Sequence, residues 1–266
     1  MLALVAPKFY ERLPTMTFTI LAHDPDADQV GIGIATVSLA VGGLCPFTTL
    51  AGDIVTSQAF ARPELGLLVA RMLSEGADMP TIEQALTAAD PHIGHRQIGI
   101  IHRDGSLNAF SGPDCRPWSG HQMAEGHVVM GNFLAGEHVL DAMGEAFRMS
   151  DGEPLAERLL QALEAGRDAG GQADAEGRHH TERSAAVKVI GPGNVPGFID
   201  TAVASTDLRV DMHELAIDEL RRLYTTLAKV PHYNALRSSR PPETPGLADW
   251  EAEHMTDAPP PTPRTA

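Results

Sequence analysis

Two neighbouring stretches near the amino terminus each have the residue pattern of a β-strand, and together they predict an antiparallel β-hairpin. The first, from Met16 to Ala22, alternates small polar with large apolar residues, as a half-buried strand does. The second, from Val30 to Thr36, is joined to it by a segment dense in Asp and Pro, which are residues that favour turns. Because strand side chains alternate between two faces, the sheet that contains this hairpin must bury one face against another layer.

Further hairpins alternate along the chain with pairs of amphipathic helices. The segments 97–102 and 107–111 flank Asp104-Gly105, a pair that favours the hairpin turn with positive φ. Apolar residues at helical spacing predict two helices between Leu65 and Ala89, and two more between Val139 and Leu163. This order lacks the single-helix crossovers of a doubly wound parallel sheet. It predicts an α+β sandwich in which two antiparallel sheets pack face to face with helices outside.

Composition limits the partners that we expect. The 266 residues carry a formal net charge of −15, which argues against nucleic acid because binding a phosphate backbone requires clustered cations. The two cysteines are typical of a reduced compartment, and no apolar run approaches the roughly 18 residues of a membrane span. We therefore expect a cytoplasmic protein that handles a small molecule, without nucleic acid or membrane as a partner.

Three segments are predicted along the chain. Residues 1–15 form an extension or leader that is no signal peptide, because charged residues interrupt it. Residues 16–232 hold the folded domain. Residues 233–266 are polar and rich in proline, so we expect a disordered tail.

Thr17 is the strongest candidate for a catalytic group. If Met16 is removed, the free α-amine of Thr17 titrates near pH ~8 and can take the proton of its own hydroxyl. Nucleophile and base would then occupy one residue. A threonine of an ordinary edge strand, favoured by β-propensity alone, is the alternative.

Other candidates would bind a substrate around Thr17. Gly131-Asn132 lies where a buried strand turns towards a helix, so that backbone N–H groups and the Asn132 amide could hold an oxyanion. Trp118 and His121 could line a pocket, and Gln58 could recognise an amide. A simple strand-to-helix turn, a loop anchored by its Trp and a solvated Gln are the alternatives.

Metal and cofactor sites are not expected. Asp24, Asp26 and Asp28 imitate the start of a calcium loop, but Gln29 and Ala35 stand where that loop needs Gly and Glu. His92 and His95 have no third ligand nearby in the sequence. Cys115 lies in a Gly-Pro-Asp context without an evident base, which favours an inert thiol.

An ordered set of motifs, spread over roughly residues 16–230, resembles one bacterial family, known as domain of unknown function 1028. The stretches that carry the resemblance are Met16-Thr17-Phe18-Thr19-Ile20, Asp24-Pro25, Leu39-Ala40-Val41-Gly42, Thr56-Ser57-Gln58-Ala59, Arg96-Gln97-Ile98-Gly99, Ser111-Gly112 with Cys115, Trp118-Ser119-Gly120-His121, Gly131-Asn132-Phe133-Leu134-Ala135-Gly136 and Asp207-Leu208-Arg209-Val210-Asp211.

This resemblance implies an Ntn-hydrolase-like αββα sandwich, the fold of enzymes that hydrolyse amides with an N-terminal Thr, Ser or Cys. It also implies that Met16 is the start residue, and that Thr36 lies close to the substrate. The family usually carries Lys or Arg after the residue at Thr36, and this chain has Val37. Two functions therefore compete: an amidohydrolase that cleaves a small C–N bond substrate, and a non-catalytic relative that binds a small ligand or assembles as a homo-oligomer.

Overall fold

The computed structural model describes residues 16–116, 118–174, 176–192, 202–227 and 231–254. The predicted extension 1–15 and the end of the predicted tail, 255–266, lie outside these residues. The chain divides into two compact units, 1–220 and 221–266.

A six-stranded antiparallel sheet contains the predicted hairpin at its centre. Numbered in chain order, its strands in spatial order are β12 (Ala202–Val210), β11 (Ser184–Pro192), β2 (Gln29–Thr36), β1 (Thr17–Asp24), β8 (His127–Asn132) and β7 (Ser119–Ala124). The predicted hairpin is β1 with β2, in a register that places Thr17 opposite Thr36.

A four-stranded antiparallel sheet forms a second layer. Its strands in spatial order are β3 (Pro46–Thr48), β4 (Ile54–Ala59), β5 (Arg96–Ile101) and β6 (Leu107–Ser111). A two-stranded ribbon pairs β9 (Gln172–Ala173) with β10 (His179–His180). The predicted hairpin around Asp104-Gly105 is β5 with β6.

Eight α-helices lie in the described residues. They are α1 (Val41–Leu44), α2 (Pro63–Ser74), α3 (Met79–Ala89), α4 (His138–Met149), α5 (Leu155–Asp168), α6 (Ala216–Leu227), α7 (Pro231–Ser239) and α8 (Leu247–His254). No helix of the described segments is long and apolar enough to cross a bilayer.

Aliphatic side chains fill the space between the sheets and beneath the helices. Leu21 and Ile32 of the larger sheet share one buried cluster with Ile54 and Ile101 of the smaller sheet. On the other face of the larger sheet, α5 lies against β1 and β2, and a separate apolar cluster joins α2 and α3 to β4 and β5. The predicted α+β fold with several antiparallel sheets is confirmed.

The C-terminal unit differs from the disordered tail that the sequence predicts, because α7 and α8 lie in it. The rings of Tyr233 and Trp250 lie 5.5 Å apart, and Trp250 stacks on His254 at 3.8 Å. Widely spaced aromatic residues in a proline-rich stretch carry no helical periodicity, which explains why these short helices were not predicted. Pro231 opens α7, where the N–H that proline lacks is not required.

Candidate functional site

Small polar residues lie side by side in one row across the larger sheet. The strand registers pair Ser184 with Thr36, Thr36 with Thr17, Thr17 with Asn132, and Asn132 with Ser119. Residues that lie directly opposite each other in antiparallel strands place their side chains on the same face. The row therefore forms a continuous polar strip at one end of the sheet.

The strip faces the smaller sheet. Thr19 lies two residues beyond Thr17 and so on the same face of β1, and its hydroxyl donates to Oε1 of Gln58 on β4 at 2.6 Å. Thr56 donates to the same oxygen at 3.3 Å. Thr17 begins the central strand β1, so the strip places its hydroxyl between the two sheets, at the end where the strand starts.

Thr17 is buried, with 5% of its surface exposed. Its hydroxyl donates to the Thr36 hydroxyl over 3.3 Å, and Thr36 donates in turn to the carbonyl oxygen of Met16. The N–H of Ser38 donates to the Thr36 hydroxyl at 3.2 Å and fixes its position. A hydroxyl pair therefore lies against the peptide bond that joins Met16 to Thr17.

Asn132 continues the strip on the other side of Thr17. Its Nδ2 donates to Oε1 of Gln97 at 2.9 Å, and Gln58 donates to the same oxygen at 3.2 Å. Within the described residues, the buried Oδ1 of Asn132 has no hydrogen-bond partner. An unpaired buried acceptor is costly in a folded protein, so this oxygen is available to a ligand that donates a hydrogen bond.

Gln97 connects the two sheets, and the sequence analysis did not identify it as a site residue. Its Nε2 lies 2.8 Å from the carbonyl oxygen of Gly131, 2.9 Å from Oγ of Ser111 and 3.2 Å from the carbonyl of Gly120. Position 131 requires a glycine, because a Cβ there would lie 2.9 Å from the carbonyl oxygen of Thr17. Gln97 is fully buried, and its place beside the apolar run Ile98-Gly99-Ile100-Ile101 is the sequence signal that could have identified it.

Trp118 and His121 lie at the edge of this network, which His121 joins through Ser111. Nδ1 of His121 is 3.0 Å from Oγ of Ser111, and burial lowers the pKa of His121, so its imidazole is neutral at pH 7. The ring of Trp118 covers Gly120, where a Cβ would meet it at 2.9 Å. Among the described hydrogen bonds, none connects either side chain directly to Thr17.

A buried acid supports the turn that follows β2. The N–H of Val37 donates to Oε1 of Gln172 at 3.1 Å, and Nε2 of Gln172 donates to Oε1 of Glu182 at 3.0 Å. Burial raises the pKa of Glu182, and the hydrogen bond from Gln172 offsets part of this effect. The sequence analysis did not identify Gln172 or Glu182, because they are distant from Thr17 along the chain.

An apolar slot, which the side chain of Met16 fills, adjoins the hydroxyl pair. The side chains of Met16, Val37 and Phe133 form one buried cluster. Arg116 is exposed, and its guanidinium carbon lies 5.5 Å from the ring centroid of Phe133 and 5.3 Å from that of Phe60. The site thus combines the polar strip, the apolar slot and the guanidinium of Arg116.

Both cysteines are poor nucleophiles. Burial raises the pKa of Cys45 to about 12 and that of Cys115 to about 11, so that both thiols stay protonated at neutral pH. In the part of the chain that the structure describes, no three His, Cys, Asp or Glu side chains are grouped to bind a metal ion.

Two comparisons with known proteins indicate the same family. The model of a family of unknown function, DUF1028, matches residues 17–220. A crystal structure of a protein from Silicibacter pomeroyi, assigned to the same family model, is 30% identical and superposes with a TM-score of 0.66, covering 80% of this chain and 89% of that one. None of the curated proteins matches. The chain belongs to the family of unknown function DUF1028.

Proposed function

We propose that this protein is an Ntn-hydrolase-like amidohydrolase that cleaves a small C–N bond substrate in the cytoplasm, with Thr17 as its nucleophile. Two antiparallel sheets that share a core and carry helices on their other faces support the αββα sandwich of that superfamily. The family match also begins at Thr17.

The observation that carries the proposal is the hydroxyl pair at the start of the central strand. Thr17 donates to Thr36 at 3.3 Å, and both side chains are buried within the polar strip. Such burial holds a hydroxyl in one orientation, which lowers the entropy cost of attack. Thr17 starts an inner strand of the larger sheet and faces the smaller sheet, so it is not the ordinary edge-strand threonine of the alternative.

The reaction requires a chain that starts at Thr17. While Met16 is attached, the nitrogen of Thr17 is an amide and cannot act as a base. Once Met16 is removed, the α-amine takes the proton of the Thr17 hydroxyl as Oγ1 attacks the substrate carbonyl. The C–N bond then breaks, the leaving amine takes that proton, and water hydrolyses the acyl ester to restore Thr17.

The neighbouring groups have defined roles in this proposal. The Thr36 hydroxyl, which contacts the Met16 carbonyl, donates to the developing oxyanion. Asn132 donates one amide hydrogen to Gln97 and keeps its second for the same oxyanion. Gln58 and Gly131 hold this arrangement through Gln97, and Trp118 and His121 bind the more distant part of the substrate.

A second function is favoured by Val37. This side chain is buried beside Met16 and Phe133, at the position where the family usually carries a cation that would favour ionisation of a nucleophile. A relative without that cation could bind a small ligand in the same slot, or assemble as a homo-oligomer, without catalysis.

The mass of the purified protein and covalent labelling separate the two functions. We expect the mature chain from the native host to begin at Thr17 and to be acylated at residue 17 by a β-lactone, a reagent for activated hydroxyl groups. Thr17→Ala should abolish labelling, while Thr49→Ala, a buried threonine bound to Asp53, should leave it unchanged. Retention of residues 1–16, or labelling that is equal in Thr17→Ala, would favour the non-catalytic function.

A further inference from the structure

Arg116 is held in place by aromatic rings instead of an acid. Its side chain is exposed, and its guanidinium lies between the rings of Phe60 and Phe133. Among the described residues Arg116 has no acidic partner, whereas Arg96 and Arg178 each pair with an aspartate. Cation–π contact orients a guanidinium and leaves its N–H groups free to bind a carboxylate.

One of the two rings connects this cation to the apolar cluster around Met16. Phe60 directly follows β4 of the smaller sheet, and Phe133 directly follows β8 of the larger sheet. The N–H of Phe133 donates to the carbonyl oxygen of Arg116 at 3.3 Å, which fixes the backbone of Arg116 as well. Phe133 packs against Met16, the residue that is bonded to Thr17. The guanidinium of Arg116 therefore lies over a ring that contacts Met16.

Met16 is an acyl group on the nitrogen of Thr17, next to the hydroxyl that would carry the acyl group of a substrate. Its carbonyl oxygen accepts the hydrogen bond of Thr36, and its side chain is fully buried with Val37 and Phe133. In a chain that starts at Thr17, this slot is open to a substrate acyl chain of similar length. Val37 gives the slot an apolar wall, which suits an unbranched aliphatic stem.

We propose that the substrates are amides of short, unbranched dicarboxylic acids, an inference that rests on the proposed amidohydrolase function. The acyl carbonyl binds at Thr36, the aliphatic stem fills the slot left by Met16, and the distal carboxylate binds Arg116. A glutaryl group suits this arrangement, because its chain is as long as a methionyl group up to the sulfur. Hydrolysis releases the free dicarboxylic acid and an amine.

The first test compares two anilides with the chain that starts at Thr17. Glutaryl p-nitroanilide and pentanoyl p-nitroanilide have acyl chains of equal length and differ in the distal carboxylate. We expect kcat/KM to favour the glutaryl compound by about tenfold or more, the effect of one charge-assisted hydrogen bond. Arg116→Gln should bring the ratio close to one, and Arg116→Lys should retain part of it. Arg71→Gln, an exposed arginine on α2, is the control and should leave the ratio unchanged.

The second test measures binding without turnover. Calorimetry with the Thr17→Ala chain should show glutarate binding about tenfold or more tightly than pentanoate, and Arg116→Gln should remove this difference. Hydrolysis of both anilides at equal rates would overturn the inference and leave the amidohydrolase function intact. Selective binding of glutarate without hydrolysis of either anilide would support a dicarboxylate site at Arg116 but overturn catalysis, and with it the assignment of amides as substrates. Neither selective binding nor hydrolysis would overturn both.

Discussion

At the scale of single residues, the candidate site depends on buried polar side chains that form hydrogen bonds with one another. Gln97 accepts from Asn132 and Gln58 and donates to Gly131, so one side chain fixes partners on two strands, β4 of the smaller sheet and β8 of the larger sheet. Buried polar networks of this kind orient their members rigidly only while every partner is present. Removing one member of the network is therefore expected to lower the stability of the protein and to change the geometry around Thr17.

Replacing Gln97 tests this network. Gln97→Leu leaves Nδ2 of Asn132, Nε2 of Gln58 and the Gly131 carbonyl without this partner, and each unsatisfied buried group costs about 1–3 kcal/mol. We expect the free energy of unfolding to fall by about 3 kcal/mol or more in chemical denaturation. Gln122→Leu, on β7 with exposed carboxylates as partners, should change it by less than about 0.5 kcal/mol. Equal effects of the two substitutions would contradict the network.

Glu182 gives a prediction about pH. Because burial raises its pKa, the folded protein binds more protons than the unfolded chain above the ordinary glutamate value of about 4.3. The stability that protonated Glu182 contributes is therefore fully present below pH ~4.3. It is lost as the pH rises through the pKa of Glu182 in the folded protein. We expect Glu182→Gln, which keeps the acceptor for Gln172, to raise the melting temperature at pH 7 and to have little effect at pH 4.

The control for this experiment is Glu64→Gln, an exposed glutamate at the start of α2. It should leave the pH dependence of the melting temperature unchanged. A Glu182→Gln protein that is less stable than the wild type at pH 7 would show that the ionised carboxylate stabilises the fold, contrary to the argument from burial.

At the scale of elements, a glycine lets helix α5 approach the central hairpin. A Cβ on Gly33 of β2 would meet the carbonyl oxygen of Leu159 at 3.2 Å, Cγ2 of Ile20 at 3.2 Å and Cγ of Leu163 at 3.3 Å. The first of these atoms belongs to the helix backbone, which cannot move without shifting α5. The close packing of the helix on β1 and β2 thus requires a small residue at this position.

Gly33→Val is expected to destabilise the protein by about 1–3 kcal/mol, the cost of overpacking a close-packed interior. Gly191→Val is the control, because the atoms nearest to a Cβ there belong to the flexible side chain of Gln29, at 3.3 Å. Denaturation curves of the two variants measure the difference. A Gly33→Val protein as stable as the control would show that α5 can shift without cost.

At the scale of the whole molecule, the chain consists of two compact units, and the polar strip lies entirely in the first. We expect deletion of residues 236–266 to leave the melting temperature of the remaining chain nearly unchanged, because this segment belongs to the second unit. Differential scanning calorimetry of the full and shortened chains measures this. A drop of many degrees would mean that the segment stabilises the folded domain or an assembly of it.

The sequence by itself determined the local features of this protein. Alternation of apolar residues predicts β1 with β2, and Asp104-Gly105 predicts β5 with β6, because strand faces and turn dihedrals are properties of neighbouring residues. The aromatic pair of the C-terminal unit, which has no periodicity, was not predicted.

Only the tertiary structure decided which residues form the site. Thr17 and Asn132 were candidates, but their pairing, the link through Gln97, and the position of Arg116 depend on strand register and on the packing of two sheets. These contacts join residues that are far apart along the chain, and local patterns contain no information about them. The polar strip exists because antiparallel register aligns one small polar residue from each of five strands, which only the folded sheet brings about.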